Sequence, residues 1–377
     1  VTRIVLFTRG DAAFGSGHLH RASWLRETLL EQQQPGLLVE TCCAASPLAE
    51  FFWEERGVPV RLDERPVAAF LDRQSQRERA AQPPLVCVLD WLDSAPEQVQ
   101  ALRAAGARVA LLDDYGPAQS EADLVINSLL APLAAAEGQV GRARLLSGAP
   151  YLQLPPAVTR LRGISIALHK QLAASLHSTE ARASTGAGPS GPVRSIVLSF
   201  GGAPRLAQTR LALAALQQAG YAGSVSVMPA PLELRDADQP PAGEMQVRYL
   251  PADDSFHDLL AGADLALLAG GLSLYEAAFL GVPALVLPVV AHQAQTGRKL
   301  AKAGCCALAA GGEALDGTPD DGGEAGPAPA AVDALAAQLR ALLADPQARG
   351  RMSAAGQQLC DGRGLLRTAE LVLELAG

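Results

Sequence analysis

The 377 residues are 49% hydrophobic and 19% charged, which supplies ample material for buried cores and more chain than one compact core normally uses, so two domains are expected. A net charge of -8 with no long lysine or arginine run gives no reason to expect nucleic acid or an anionic membrane surface as a partner. No apolar stretch approaches a membrane span and no basic segment leads into an apolar one at the start, so neither a span nor an export signal is expected and the location is read as cytoplasmic.

Short β-branched or aliphatic runs then alternate with longer alanine- and leucine-rich stretches, the pattern of parallel strands joined by crossover helices. The first half predicts strands at RIVLF, LLVETC, PVRL, LVCVLD, RVALLD and ADLVIN; the second predicts SIVLSF, SVSVM, QVRYL, ADLALLAG, PALVLPV and CALAA. Two doubly wound α/β domains follow, over 1–159 and 193–377. Residues 160–182 are expected to be helical and STGAGPSGP at 184–192 has linker composition, so 160–192 is a linker insertion. The low-complexity segment 311–331 has too few large apolar residues to fold by itself and is expected to be a surface loop. Amphipathic helices, including LLRTAELVLELA, close the chain. Open parallel sheets collect ligands beyond the carboxyl ends of their strands, so the informative loops are those that follow strands.

The first is FGSGHLHRA, residues 14–22. Gly15 and Gly17 let the backbone turn sharply and approach a neighbour closely, whether a ligand or a packed strand-to-helix connection. His18 and Arg21 fall three residues apart on one helical face, while His20 projects elsewhere. Arg21 can orient a phosphate or pair with a carboxylate. Asp90, at the end of LVCVLD, can bind hydroxyls, hold His18 or cap a loop. Asp113 and Asp114 are adjacent rather than spaced as a metal-binding D-x-D. The six cysteines include two vicinal pairs, lack C-x-x-C spacing and have apolar neighbours. They read as reduced core thiols, and neither metal nor cofactor is expected.

In the second half, ADLALLAGGLSLYEAAFLGVPALVLPVVAHQAQTGRKLAKAG at 263–304 runs strand, Gly270 and Gly271, a helix from about Ser273 to Gly281, then a strand. Free amides and the positive dipole end at that helix start favour a phosphate. Glu276, one turn in, can accept hydrogen bonds from ribose hydroxyls; equally, Ser273 and Glu276 fit a capping box in which the glutamate serves only the backbone.

This segment resembles the nucleotide-binding half of GT-B glycosyltransferases, in which a G-x-S-x-x-E-A helix is followed by G-x-P, a strand and a loop glutamine, here Gln293. More specifically, the chain resembles the PseG/SpsG family, the UDP-sugar hydrolase of the pseudaminic-acid pathway and its spore-coat polysaccharide relatives. Gly15, Gly17, His18 and Arg21 match G-x-G-H-x-x-R; LSFGGAP at 198–204, LLDDYG at 111–116, ADLVINS at 122–128 and SGAPYLQLPPA at 147–157 match further segments in the same order. The resemblance implies a GT-B-like fold, two Rossmann-like domains facing a central cleft. It implies a UDP-sugar substrate, with Gly201, Gly202, Gly270, Gly271, Ser273, Glu276 and Gln293 on the nucleotide. On the sugar side it implies Gly15, Gly17, Arg21, Asp114 and Tyr275, with Asp113 and Asp114 either structural or sugar-facing. His18 corresponds to the family's proposed general base, a role suited to a group that titrates near neutrality, and Asp90 to the first residue of its D-x-Y-G motif.

Two positions depart from the pattern. Leu92 replaces the tyrosine of D-x-Y-G, and Tyr275 stands where the pseudaminic-pathway enzymes have asparagine, so that pathway's sugar is not implied. The expected activity is hydrolysis of a UDP-sugar at its anomeric carbon with inversion. Transfer to a hydroxyl acceptor on the same scaffold is the alternative, and non-catalytic binding of a nucleotide sugar is a third possibility.

Overall fold

The computed structural model describes residues 1–11, 15–75, 84–162, 192–202, 205–235, 245–251, 256–310 and 327–377. The expectations for the linker from 163 to 191 and for the low-complexity segment from 311 to 326 lie outside the described residues. The chain forms two compact units, Val1–Pro155 with Gly362–Gly377, and Pro156–Asp361.

In the first unit the strands are β1 (Thr2–Thr8), β2 (Leu37–Ala44), β3 (Arg61–Asp63), β4 (Leu85–Asp90), β5 (Arg108–Leu112), β6 (Leu124–Asn127), β7 (Ala136–Val140) and β8 (Ala143–Ser147). Helices α1 (Gly17–Glu31), α2 (Pro47–Glu55), α3 (Pro66–Ser75) and α4 (Pro96–Ala104) connect the first five. The sheet order is β3-β2-β1-β4-β5-β6-β8-β7, parallel throughout except for the β7–β8 hairpin. The hairpin is not among the elements expected from sequence. Its first strand, AEGQV, is exposed and holds no large apolar residue but Val140, so it carries no hydrophobic period, while Gly141 at φ 56° makes the turn.

From β1 the chain winds outward to β3, then returns to lay β4 on the other side of β1. That switch point opens a crevice beyond the carboxyl ends of β1 and β4, where Thr8 pairs with Asp90. Alternation along β4 sorts its side chains: Val86 and Val88 join the core beneath α1 with Leu25 and Leu29, whereas Cys87, Leu89 and Trp91 join the core beneath α3 and α4. Asp90 continues the first set, so its carboxylate lies on the α1 face.

The second unit repeats the plan with β9 (Ser195–Ser199), β10 (Ser224–Val227), β11 (Gln246–Tyr249), β12 (Leu265–Leu268), β13 (Ala284–Val286) and β14 (Ala307–Leu308), in the order β11-β10-β9-β12-β13-β14. Its helices are α5 (Leu206–Gln218), α6 (Leu232–Arg235), α7 (Phe256–Ala261), α8 (Leu272–Leu280), α9 (Ala291–Lys302), α10 (Pro329–Ala344) and α11 (Pro346–Leu359). Here the switch point lies between β9 and β12.

The last helix, α12 (Gly364–Glu374), corrects the expected domain assignment, which placed all of 193–377 in the second domain. Leu365, Ala369 and Val372 recur at helical spacing and fill the first unit's core against Ile4, Leu6 and Leu29. Gly364 permits the approach, because a Cβ there would sit 2.2 Å from the Leu152 carbonyl oxygen. Removing these apolar residues from water is what ties the chain's end to its beginning.

Candidate functional site

The loop after β1 is shaped before it reaches His18. Ser46 Oγ donates to the Gly10 carbonyl, the Gly15 amide donates to the Asp11 carbonyl at 2.7 Å, and Gly15 adopts φ 72°, a conformation that needs no Cβ. Helix α1 then starts at Gly17, so His18 and Arg21 occupy its first turns and face the carboxyl end of β4.

Four side chains separated by up to 95 positions meet there. His18 Nδ1 lies 2.7 Å from Asp90 Oδ1, and Arg21 Nε donates to Asp90 Oδ2 at 3.0 Å while Arg21 Nη2 donates to Asp90 Oδ1. Arg21 Nη1 donates to Asp113 Oδ2 at 2.8 Å. The guanidinium and both carboxylates are buried, and the His18 side chain retains 12% exposure.

Burial alone would push the Asp90 carboxyl up, but Arg21 and then His18 outweigh it and hold Asp90 below its ordinary value. Burial likewise opposes a charged Arg21, and Asp90 with Asp113 overcomes that and raises it. An ionised carboxylate only accepts hydrogen bonds, so the 2.7 Å contact assigns a proton to His18 Nδ1. Arg21 Nη2 is also 3.0 Å from Nδ1, but a Nδ1 that carries a proton toward Asp90 has no lone pair to accept from it, and Nη2 donates to Asp90. In the neutral imidazole the free lone pair is therefore on Nε2, which makes no hydrogen bond among the described residues. An imidazole held by Asp90 with Nε2 open is the arrangement of a general base.

Two positions expected on the sugar side hold structure instead. Arg21 is 3% exposed and spends its guanidinium on two carboxylates. Asp114 is fully buried, accepting from the Ser94 amide at 2.7 Å and the Gly116 amide at 2.9 Å, so it stitches the loop after β4 to the loop after β5. Leu92 is in the same seam at φ 73°, its carbonyl accepting from the Tyr115 amide at 2.8 Å. An apolar recess of about 410 Å³, lined by Arg9, Val67, Leu71 and Trp91 among others, lies on the opposite face of β4 from Asp90. It forms no part of the His18 cluster.

In the second unit, Gly201 (φ 115°) and Gly202 follow β9 and are exposed, and Gly270 (φ 98°) and Gly271 follow β12. A Cβ at Gly270 would stand 2.7 Å from the Gln293 carbonyl oxygen, so only glycine lets the α8 and α9 connections approach this closely. Gly271 is the N-cap of α8 and Ser273 lies inside the helix, with no side-chain capping bond. The capping-box alternative for Glu276 is thereby removed. Glu276 is 3% exposed, its Oε2 lies 3.5 Å from His257 Nε2, and that oxygen has no hydrogen-bond partner among the described residues. A buried carboxylate oxygen left open in this way is suited to a ligand hydroxyl.

Two expected ligand contacts are not supported. Gln293 Oε1 turns back to accept from the Val289 and Val290 amides at 2.9 and 3.2 Å, capping its own helix. Tyr275 is 1% exposed, with Lys299 Nζ 5.5 Å from its ring centre. Sequence reasoning missed His257, which is isolated in the chain and carries no motif. It also left Asp113 without a partner, although an aspartate directly after a buried strand was the available signal.

All six cysteines are buried and unbridged, and burial pushes Cys42 up to about 11 and Cys43 and Cys306 up to about 12, which disqualifies these three as thiolate nucleophiles. Among the described residues no group of three or more His, Cys, Asp or Glu side chains could hold a metal ion. No helix among them is long and apolar enough to cross a membrane.

Paired doubly wound units with glycine-rich loops at their switch points define the GT-B class of fold. The chain matches, over 99% of its length and 100% of theirs, the MurG structure of Acinetobacter baumannii (TM-score 0.64, 13% identity) and a UDP-GlcNAc 2-epimerase of Neisseria meningitidis bound to UDP-GlcNAc (TM-score 0.57, 12% identity). In sequence it is similar to the spore coat polysaccharide biosynthesis protein SpsG of Bacillus subtilis (strain 168), with 23% identity over 98% of this chain and 97% of that protein. No protein-family model matches the chain.

Proposed function

We propose that the protein hydrolyses a nucleotide sugar, with UDP as the nucleotide. The observation that carries this reading is the His18–Asp90 pair at 2.7 Å, which commits Nδ1 and leaves Nε2 to accept a proton. His18 Nε2 takes a proton from water as the water oxygen bonds to the anomeric carbon. The bond between that carbon and the diphosphate oxygen breaks, its electron pair leaves with the nucleoside diphosphate, and attack from the opposite face inverts the configuration.

The second unit holds the nucleotide. Glu276 accepts hydrogen bonds from the ribose, and the amides after Gly270 and Gly271, at the positive end of α8, meet the phosphates. Similarity to a polysaccharide biosynthesis protein and the fold shared with a structure bound to UDP-GlcNAc both support a UDP-sugar.

A base with a free Nε2 would serve a hydroxyl acceptor as well as water, so sugar transfer is the second reading. A panel of UDP-sugars without added acceptor separates the two. Release of UDP and free sugar of inverted anomeric configuration is expected; turnover that appears only when a hydroxyl acceptor is added would assign a transferase.

A further inference from the structure

The His18–Asp90 pair belongs to a larger cluster whose charges sum to minus one. Asp90 and Asp113 contribute two negative charges, and Arg21, donating to both, contributes one positive charge. We propose that Asp113 is a positioning residue for the proton transfer assigned to His18. It holds one corner of Arg21 and supplies the second carboxylate that leaves the cluster neutral, rather than cationic, once His18 is protonated. The inference rests on His18 being the base.

The construction around Asp113 is elaborate for a residue that only closes a loop. It takes up φ 46° immediately after β5 and is 1% exposed. Its Oδ1 accepts from the Ser128 amide at 2.7 Å, the Leu129 amide at 2.8 Å and the Tyr115 hydroxyl at 3.2 Å. Its Oδ2 accepts from Ser128 Oγ at 3.1 Å and from Arg21 Nη1 at 2.8 Å. Backbone amides and hydroxyls would be satisfied by a neutral carbonyl oxygen; the buried guanidinium is the partner that calls for a full negative charge.

Asp90 uses both of its oxygens on Arg21 and His18, so it cannot by itself balance two cations in a water-poor site. Asp113 supplies that balance. The charged and titratable groups hydrogen-bonded to His18 or its partners include Arg21 on α1, Asp90 on β4, and Asp113 with Tyr115 after β5. With a neutral residue at 113, the cluster is neutral before proton transfer and carries a buried positive charge after it. His18 becomes the weaker base.

The test is an NMR titration of the His18 imidazole in the full chain, comparing wild type with Asp113→Asn, Asp113→Glu and Tyr115→Phe. The midpoint in Asp113→Asn is expected to fall by about one pH unit, and Asp113→Glu restores it. Tyr115→Phe loses a donor to Asp113 but no charge, and leaves the midpoint in place. On a UDP-sugar turned over in the panel, Asp113→Asn lowers kcat about three- to tenfold with KM unchanged, and the acidic limb of the rate profile moves to lower pH.

An unmoved midpoint in folded Asp113→Asn overturns the proposal, and so does an equal shift in Tyr115→Phe, which would trace the effect to packing. If Asn is not accommodated, Asp113→Ser, which leaves room for a water beside Arg21, is read by the same criteria. The imidazole resonance does not depend on turnover. A His18→Asn variant that stays active would therefore remove the base assignment while the charge effect of Asp113 is still measured.

Discussion

In both units the chain leaves one central strand, winds to one edge, and returns on the other side, so each sheet offers a crevice between two strand ends. The first unit fills that position with charge: His18, Asp90, Arg21 and Asp113 satisfy one another within the protein. The second fills it with glycine backbone and one buried carboxylate whose Oε2 lacks a hydrogen-bond partner among the described residues. A self-satisfied ionic cluster is held rigid before any ligand arrives, which suits proton transfer. A crevice of glycine backbone with an open side-chain acceptor is completed by its ligand, which suits binding. The same order of the six core strands thus carries two different kinds of switch point, set by the side chains that stand there.

The strongest way to break this division is His18→Asn, which keeps size and hydrogen bonding but removes the imidazole base. Turnover of the UDP-sugar is expected to fall about a hundredfold to ten-thousandfold while UDP affinity by calorimetry stays close to wild type. Affinity falling in parallel with turnover would make the first unit's loop a phosphate cradle instead.

Next in size is Arg21→Met. It leaves two buried carboxylates facing each other without their cation and should cost about 3–5 kcal/mol in urea denaturation at neutral pH. Asp90 is held below its ordinary value in the wild type, so its contribution is present above the unfolded carboxylate range and lost as pH falls through the folded value. In the variant burial dominates and Asp90 takes up a proton more readily, so the stability gap should narrow between pH 7 and about pH 4. A gap that is small at pH 7, or constant with pH, would show that the cluster is not held by charge.

A smaller effect is expected from Glu276→Gln, which sharpens the other half of the comparison. UDP affinity should weaken about tenfold, the order of one hydrogen bond to a charged acceptor, with His18 still active on bound substrate. Unchanged affinity with a lower melting temperature would assign Glu276 to its 3.5 Å contact with His257 alone.

Most strands were legible because hydrophobic runs of four to seven residues are local signals, and the missed β7–β8 hairpin is the strand pair with little apolar pattern. The candidate site was legible only in part. His18 and Arg21 share one helix turn, so spacing alone puts them together, but spacing could not say that Arg21 would be consumed by Asp90 and Asp113. Alternation carried two residues past β5 would place Asp114 on the α1 face with Ala110 and Leu112. The left-handed turn at Asp113 ends that alternation and brings Asp113 to Arg21 instead.

What the sequence by itself determined is local: two rounds of alternating strand and helix, glycine where the chain must turn, and a histidine and an arginine at the start of the first helix. Only the tertiary structure decided the partners. Asp90 meets His18 across 72 positions and Asp113 meets Arg21 across 92, Glu276 faces His257 rather than its own backbone, and the final helix packs on the first unit rather than the second. The physical reason is range. Backbone propensity and hydrophobic period act over a few residues, whereas the pairing of buried charges and the burial of an apolar helix face depend on which distant surfaces the completed sheets bring together.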